Sequence, residues 1–91
     1  MAATVYYEDG RIERIMPKNG KNFKLKELQS IVNGMVQIVP LNGKLMVCNE
    51  EGKINGECEP NIMATVEWIK VYGTTDVIFG NALICDESMI E

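Results

Sequence analysis

The segment from Asn49 to Asn61 is the part of the chain whose residue types come closest to a chemical site. Its sequence, NEEGKINGECEPN, contains four glutamates, three asparagines, two glycines and one cysteine. Carboxylates suit calcium, but the glycine stands at position four of the segment and Lys53 at position five. An EF-hand loop needs an oxygen ligand at five and a glycine at six. We therefore interpret the segment as a structured, polar connection between two elements.

The rest of the composition gives little support to catalysis or to metal binding. There is no histidine, which removes the commonest general base and the commonest zinc ligand. The three cysteines, Cys48, Cys58 and Cys85, include no closely spaced pair, whereas structural zinc sites typically use such pairs. The glycines do not follow the P-loop or dinucleotide spacing. The sequence thus predicts a protein that is not an enzyme and that uses no metal or cofactor.

Two groups of side chains remain as candidate contacts for a ligand or a phosphate. The first is basic, because six of the nine lysines and arginines fall within residues 11–26. The second consists of asparagines in and around the opening segment, whose amides can orient a ligand but which also serve as turn and cap residues. The candidates are Arg11, Arg14, Lys24, Asn49, Asn55 and Asn61.

The charge distribution is uneven along the chain. The net charge is −4, and from residue 27 onward there are ten acidic against three basic residues, a net charge of −7. A general nucleic-acid binder needs a concentrated positive field, so the sequence disfavours nucleic acid as a partner. The basic stretch is either a solvated surface or a local patch for an acidic partner or a phosphate.

Two aromatic residues are candidates for an interaction surface. Tyr6 and Tyr7 are adjacent on a predicted strand, so they face opposite ways and one of them is exposed. Trp68 lies off the helical stripe formed by Ile62, Val66 and Ile69. Exposed Tyr and Trp are typical of protein interfaces, and we take Tyr7 and Trp68 as the candidates. The alternative for Trp68 is a place in the core.

The elements that position these residues begin with two hairpins and a helix. Residues 3–16 form a hairpin around Asp9-Gly10, a strong turn signal. Residues 23–34 form a helix, capped by Asn22 and ended by Gly34. Residues 35–49 form a second hairpin around the Asn-Gly turn at 42 and 43. Strands predominate, and the chain is predicted to be a small single α+β domain with a mostly antiparallel sheet and one or two helices.

The second half of the chain is less determined by pattern. Residues 61–72 fit a helix that starts at Asn61 and stops at Gly73, but their β-branched residues leave a strand open. Residues 76–86 form a strand or two strands bent at Gly80. We expect an ordered core over residues 1–86 and a loose tail over residues 87–91.

Three stretches together resemble a known family. They are LKELQSIVNGMVQIVPL, LMVCNEEGKINGECEPN and DVIFGNALIC, and they look like the family called "domain of unknown function 3846" over residues 4–86. The resemblance implies a small protein of a phage, mobile element or bacterium and supplies no catalytic residues. The chain departs from the family pattern at Asn33 and at residues 56–58.

The function expected from these observations is binding without catalysis. We predict contact with a protein partner, with a homodimer through an edge strand as one form of it. The alternative is a protein that binds a small molecule or nucleotide, with the basic stretch on the phosphates and residues 49–61 closing the pocket. The start of the chain has no secretory signal and no stretch reaches membrane-spanning length, which predicts a cytoplasmic protein in a bacterial host with no membrane contact.

Overall fold

The computed structural model describes residues 3–52 and 58–90. Within these residues it contains five strands and two helices, which confirms the predicted α+β class. The strands are β1 (Ala3–Tyr6), β2 (Ile12–Ile15), β3 (Val36–Leu41), β4 (Lys44–Asn49) and β5 (Ala82–Cys85), and the helices are α1 (Leu25–Val32) and α2 (Ile62–Tyr72). No helix in this part of the chain is long and apolar enough to cross a membrane.

All strands lie in one antiparallel sheet of order β2-β1-β5-β4-β3. The two predicted hairpins are present, with Gly10 and Gly43 at positive φ angles of 97° and 80° in their turns. The C-terminal strand β5 lies between the hairpins and pairs with β1 and β4. Since β5 joins two hairpins that are far apart in sequence, it makes the sheet continuous.

Alternate strand residues point to opposite faces of the sheet, and apolar residues lie on both. Each face is covered by one helix. On the α1 face, Leu28 and Val32 pack with Val5, Val47 and Leu83. On the α2 face, the buried residues are Val39, Met46, Cys48, Ala64, Ile78, Ala82 and Ile84. Residues Ile62–Tyr72 form a helix, so the strand that the sequence left open for residues 61–72 is not formed.

The ends of the helices follow the predicted residues only in part. Asn61 caps α2 and Gly73 ends it, as predicted. Helix α1, however, starts after Lys24 rather than Asn22 and ends at Asn33, which adopts the left-handed conformation at φ 61°. Asparagine tolerates this conformation better than most residues. Gly34 is needed for a different reason, since a Cβ there would lie 2.7 Å from Asn49 Nδ2.

The C-terminal residues correct the prediction of a loose tail. Residues Glu87–Met89 form a short 3-10 helix, and Met89 is buried in the cluster on the α1 face. The Met89 carbonyl accepts a hydrogen bond from Phe23 N at 2.7 Å. The expectation is therefore wrong for residues 87–90, while Glu91 lies outside the described residues. The buried Met89 and the half-buried Ile90, which packs against the same cluster, hold this segment on the core.

Candidate functional site

A groove lies on the α1 face of the sheet, between α1 and the first hairpin. Helix α1 has eight residues and contacts β3, β4 and β5, so the same face of β1 and β2 is left partly open. The resulting cavity has a volume of about 420 Å³. It is lined by Val5, Tyr7, Ile15, Met16, Lys18, Glu27, Ser30, Ile31 and Asn81.

A second cavity of about 340 Å³ continues this groove toward the start of α1. The two cavities share Lys18, Glu27 and Ser30, and the second adds Asn19, Lys24 and Lys26. We call the two together the hairpin groove. It has an apolar end on the first hairpin and a lysine-rich end at the start of α1.

Glu27 organises the junction between the two ends of the hairpin groove. Its Oε2 accepts a hydrogen bond from Lys18 N at 3.1 Å, and its Oε1 accepts one from Lys24 N at 3.4 Å. The carboxylate in the first turn also interacts favourably with the helix dipole. Glu27 thus holds the loop before α1 in place, including the backbone of Lys18.

The turn of the first hairpin holds a small polar cluster beside the groove. Tyr7 Oη donates to Glu13 Oε1 at 2.8 Å, and the Arg11 guanidinium lies 4.3 Å from the centre of the Tyr7 ring. The hydrogen bond with Glu13 raises the pKa of Tyr7. Hydrogen bonds from the Arg11 backbone and side chain lower the pKa of Asp9. Tyr6 and Tyr7 are both half-buried, whereas the sequence predicted that one of them is exposed.

The predicted basic candidates do not meet at one point. Arg14 pairs with Thr4 in the β1–β2 ladder, so it shares a face with Thr4 and Tyr6, and Tyr6 packs on the α2 side. Lys24 lines the hairpin groove on the α1 side. Arg11 is engaged at the hairpin turn by Asp9, whose Oδ2 lies 2.9 Å from Arg11 Nε. Sequence reasoning did not single out Lys18, Ser30 or Met16, because only the packing of α1 brings them together.

Asn49 and Asn81 connect the end of α1 to the sheet. Asn49 Nδ2 donates to Val32 O at 3.0 Å and to Asn33 O at 3.4 Å, while Asn49 Oδ1 accepts from Glu51 N. Asn81 Nδ2 donates to Ile31 O at 3.2 Å. The last carbonyls of a helix have no partner within it. These two amides supply such partners, so Asn49 follows the turn-and-cap alternative.

Asn61 has a comparable structural role at the start of α2. It is 1% exposed. Its Oδ1 accepts from Ala64 N at 3.1 Å, and its Nδ2 donates to Tyr6 O and Gly80 O, both at 2.7 Å. Both amide protons and the oxygen are therefore used inside the protein. The remaining asparagine candidate, Asn55, lies outside the described residues.

Cys58 is the most accessible of the three cysteines. All three are thiols; Cys48 and Cys85 are buried, and Cys58 is intermediate. Burial raises the pKa of the Cys85 thiol to about 11, so Cys85 stays protonated at neutral pH. A Cβ at Gly80 would lie 3.1 Å from Cys58 Sγ, and Gly80 has a positive φ of 84°. Glycine at 80 thus allows Cys58 to approach the chain.

The outward side of α2 carries a second surface, which is apolar. Ile62, Val66 and Ile69 are spaced on one side of the helix and are 69%, 39% and 38% exposed. We call these three residues together with Val77, which is 41% exposed, the α2 outer face. Ile69 and Val77 also line an open groove of about 610 Å³. The sequence pattern had implied that this stripe faced the core.

Trp68 lies on the inward side of the same helix. It is half-buried and packs against the cluster on the α2 face. Its Nε1 donates to Thr75 Oγ1 at 3.0 Å, and its ring centre lies 4.4 Å from that of Tyr72. Trp68 thus has the packing role that was kept as the alternative, and Ile62, Val66 and Ile69 are the more exposed residues.

Comparison with known proteins gives a family for the chain. No curated protein and no solved structure matches it. Among the described residues, no three Cys, Asp or Glu side chains are grouped in a way that could hold a metal ion. Residues 4–89 match the model of a family described as a domain of unknown function. The chain therefore belongs to the DUF3846 family.

Proposed function

We propose that this protein is a non-enzymatic binding protein that acts by protein–protein contact through the α2 outer face. The observation that carries the proposal is the exposure of Ile62, Val66 and Ile69, which lie in one row on the helix. Single exposed apolar residues are ordinary on a protein surface, but a contiguous apolar patch is typical of an interaction site. Val77 extends the patch beyond the helix.

The charges near this face favour an uncharged partner surface. Helix α2 has two charged residues, and they bond to each other, with Lys70 Nζ 2.7 Å from Glu67 Oε2. Covering the row would therefore not require an isolated charge to lose its water, which is a large cost in binding. The expected partner surface is apolar where it meets the row and polar at the groove, where Asp76 is among the lining residues.

A second copy of the chain fits this description. In an antiparallel pair of α2 helices related by a twofold axis near Val66, Ile62 of one copy would lie against Ile69 of the other. Ile62 lies four residues before Val66, about 6 Å along the helix axis, and Ile69 lies three residues after it, about 4.5 Å. Because these distances are similar, the twofold axis places the two side chains opposite each other. A twofold interface requires this kind of self-complementary surface.

We place the dimer contact on α2 rather than on an edge strand. Edge strand β3 contains Pro40, which has no N–H to offer to a new strand, and the Pro40 carbonyl accepts a hydrogen bond from Tyr72 Oη. Edge strand β2 has four residues and includes Glu13 and Arg14. Short, charged edge strands resist pairing with another chain.

The proposed dimer is expected to be weak. Helix α2 has eleven residues, which corresponds to about 16 Å. Stable interfaces bury about 800 Å² on each partner, more than one helix of this length offers. We therefore expect association at micromolar or higher concentrations, with the groove beside Ile69 and Val77 adding to the contact.

Sedimentation velocity over a concentration series tests the proposal. The wild-type protein should shift from monomer to dimer as its concentration rises, and Val66→Asp should remain monomeric because a buried carboxylate would lose its hydration. Met35→Asp is the matched control, since Met35 is also an exposed apolar residue, at 55%, but lies outside the α2 outer face. A wild type that stays monomeric throughout, or a control that dissociates equally, would contradict the proposal.

The cellular setting forms part of the same proposal. We place the protein in the cytoplasm of a bacterial host, as an accessory of a phage or mobile element. Cys48 and Cys85 are buried as small apolar residues, a use of cysteine that is compatible with a reducing compartment. Fractionation of host cells that express the tagged chain would test this placement, and recovery in the periplasm would contradict it.

A further inference from the structure

We propose that the hairpin groove binds a free small amphipathic anion, with its apolar body on Ile15, Met16 and Ile31 and its carboxylate or phosphate beside Lys18. This activity is separate from protein contact through α2. The two surfaces lie on opposite faces of the sheet, since α1 and α2 pack on opposite faces. Each can therefore be tested without the other.

The apolar end of the groove has the size and lining of a ligand site. Its volume of about 420 Å³ falls within the range of about 300–1,000 Å³ that small-molecule sites occupy. Val5, Ile15 and Ile31 form its apolar surface together with Met16, which is 59% exposed. Methionine adapts its shape to irregular partners. Covering these side chains with an apolar body would remove their surface from water, which is favourable.

The other end of the groove attracts negative charge. Lys18, Lys24 and Lys26 line it, and Glu27 is the acidic residue among its described lining residues. The attraction for an anion is assigned to Lys18 and Lys26. That carboxylate already accepts hydrogen bonds from Lys18 N and Lys24 N, and these bonds hold the loop in place. Lys18 is exposed and lines both cavities, and its side chain is long and flexible. Its ammonium can therefore reach an anionic head while the body of the same molecule lies on the apolar end.

The uneven distribution of charge along the chain favours binding of an anion at this groove over binding elsewhere on the protein. Residues 1–26 carry six basic and three acidic residues, a net charge of +3, whereas the remainder carries −7. Within residues 1–26, Arg14 lies on the α2 side and Arg11 is paired with Asp9. The attraction for an anion at the groove therefore comes from Lys18 and Lys26. The groove has both an apolar lining and a cationic rim. It should therefore bind an amphipathic anion more tightly than either a neutral apolar molecule or a small inorganic anion.

The test is a titration followed by amide NMR with three probes, namely octanoate, 1-octanol and acetate. Octanoate carries both an apolar chain and a carboxylate, and the other two carry one part each. We expect octanoate to shift the amides of Met16, Lys18 and Ile31 in a saturable way. Octanol and acetate should bind at least about tenfold more weakly, the loss expected when one charge-assisted contact or the apolar contact is missing.

Two variants with the same change of charge show whether the position matters. Lys18→Glu should weaken octanoate by about tenfold or more, because it places a carboxylate at the head position. Lys44→Glu is the matched control, since Lys44 is an exposed lysine at the start of β4. This variant should bind octanoate with the affinity of the wild type. Octyl phosphate in place of octanoate shows which anionic head is preferred.

Four outcomes of the titration would overturn the inference. They are equal weakening by Lys44→Glu, equal binding of all three probes, shifts centred on Val66 and Ile69 rather than on the groove, and no saturable shift with either octanoate or octyl phosphate. Sedimentation with phosphatidylglycerol vesicles forms a separate arm. Binding to vesicles that Lys18→Glu abolishes, without binding of soluble octanoate, would show a membrane as the source of the anion and would contradict a free ligand.

Discussion

At the scale of single residues, the buried asparagines that the sequence offered as ligand contacts have structural roles instead. Asn49 and Asn61 are the only buried polar residues in the described part of the chain. Each uses its amide protons on backbone carbonyls. The sequence could show that asparagines were frequent, and it could place Asn61 at a helix start. It could not show that the Asn61 amide also reaches Tyr6 and Gly80, because those contacts depend on tertiary packing.

Asn61 therefore allows the cap to be separated from the two long-range hydrogen bonds. Asn61→Asp keeps an oxygen for Ala64 N, and Asp is a good cap residue, but it brings a carboxylate against the carbonyls of Tyr6 and Gly80. Asn61→Ala loses all three hydrogen bonds. Since leaving a buried polar group unsatisfied costs about 1–3 kcal/mol, we expect both variants to lose about 3 kcal/mol of unfolding free energy in urea titrations.

The control for this measurement is Asn42→Ala, at an exposed asparagine in the turn between β3 and β4. It should change the free energy of unfolding by about 0.5 kcal/mol or less, as surface substitutions do. If Asn61→Asp were as stable as the wild type, capping alone would explain the residue. The bridge from α2 to Tyr6 and Gly80 would then contribute nothing measurable.

At the scale of elements, α2 shows why the pattern of apolar residues left its orientation open. Ile62, Val66 and Ile69 form a regular helical row, and such a row is normally the buried one. Apolar residues also occur on the other sides of α2, including Ala64 and Trp68. The structure buries Ala64 and half-buries Trp68, because a small residue lets the helix approach the sheet and the ring fills the space beside it. Sequence spacing alone does not distinguish these two sides.

The two sides of α2 should differ in their effect on stability. Trp68→Ala removes a ring that packs on the α2-face cluster and on Tyr72, so we expect a loss of about 2 kcal/mol, less than for a fully buried Trp. Val66→Ala should change stability by about 0.5 kcal/mol or less, since Val66 faces outward. Thermal and urea unfolding of both variants at low protein concentration would measure the difference. Equal losses would mean that the outward row also contributes to the folded monomer.

At the scale of the whole molecule, local patterns predicted the hairpins and helices but not the order of the strands. The turn signals at Gly10 and Gly43 and the cap at Asn61 act within a few residues, and each is found where expected. The placement of β5 between β1 and β4 joins residues about 80 positions apart, such as Thr4 and Ile84. No local signal encodes such a pairing. The hairpin groove follows from this topology, because α1 covers the strands around β5 and leaves the first hairpin partly open.

The C-terminal segment gives a test of this architecture at the same scale. Met89 is 2% exposed in the cluster that contains Phe23, Val5 and Leu83, so Met89→Ala should cost about 2–4 kcal/mol of unfolding free energy, as for other buried methionines. Ser88→Ala, at the exposed neighbouring residue, is the control. Hydrogen exchange adds a local readout, because Phe23 N donates to Met89 O at 2.7 Å. The Phe23 amide should be protected in the wild type and exchange faster in Met89→Ala. Urea midpoints that match between the two variants, with an unprotected Phe23 amide, would instead mean that the core is complete without residues 87–90.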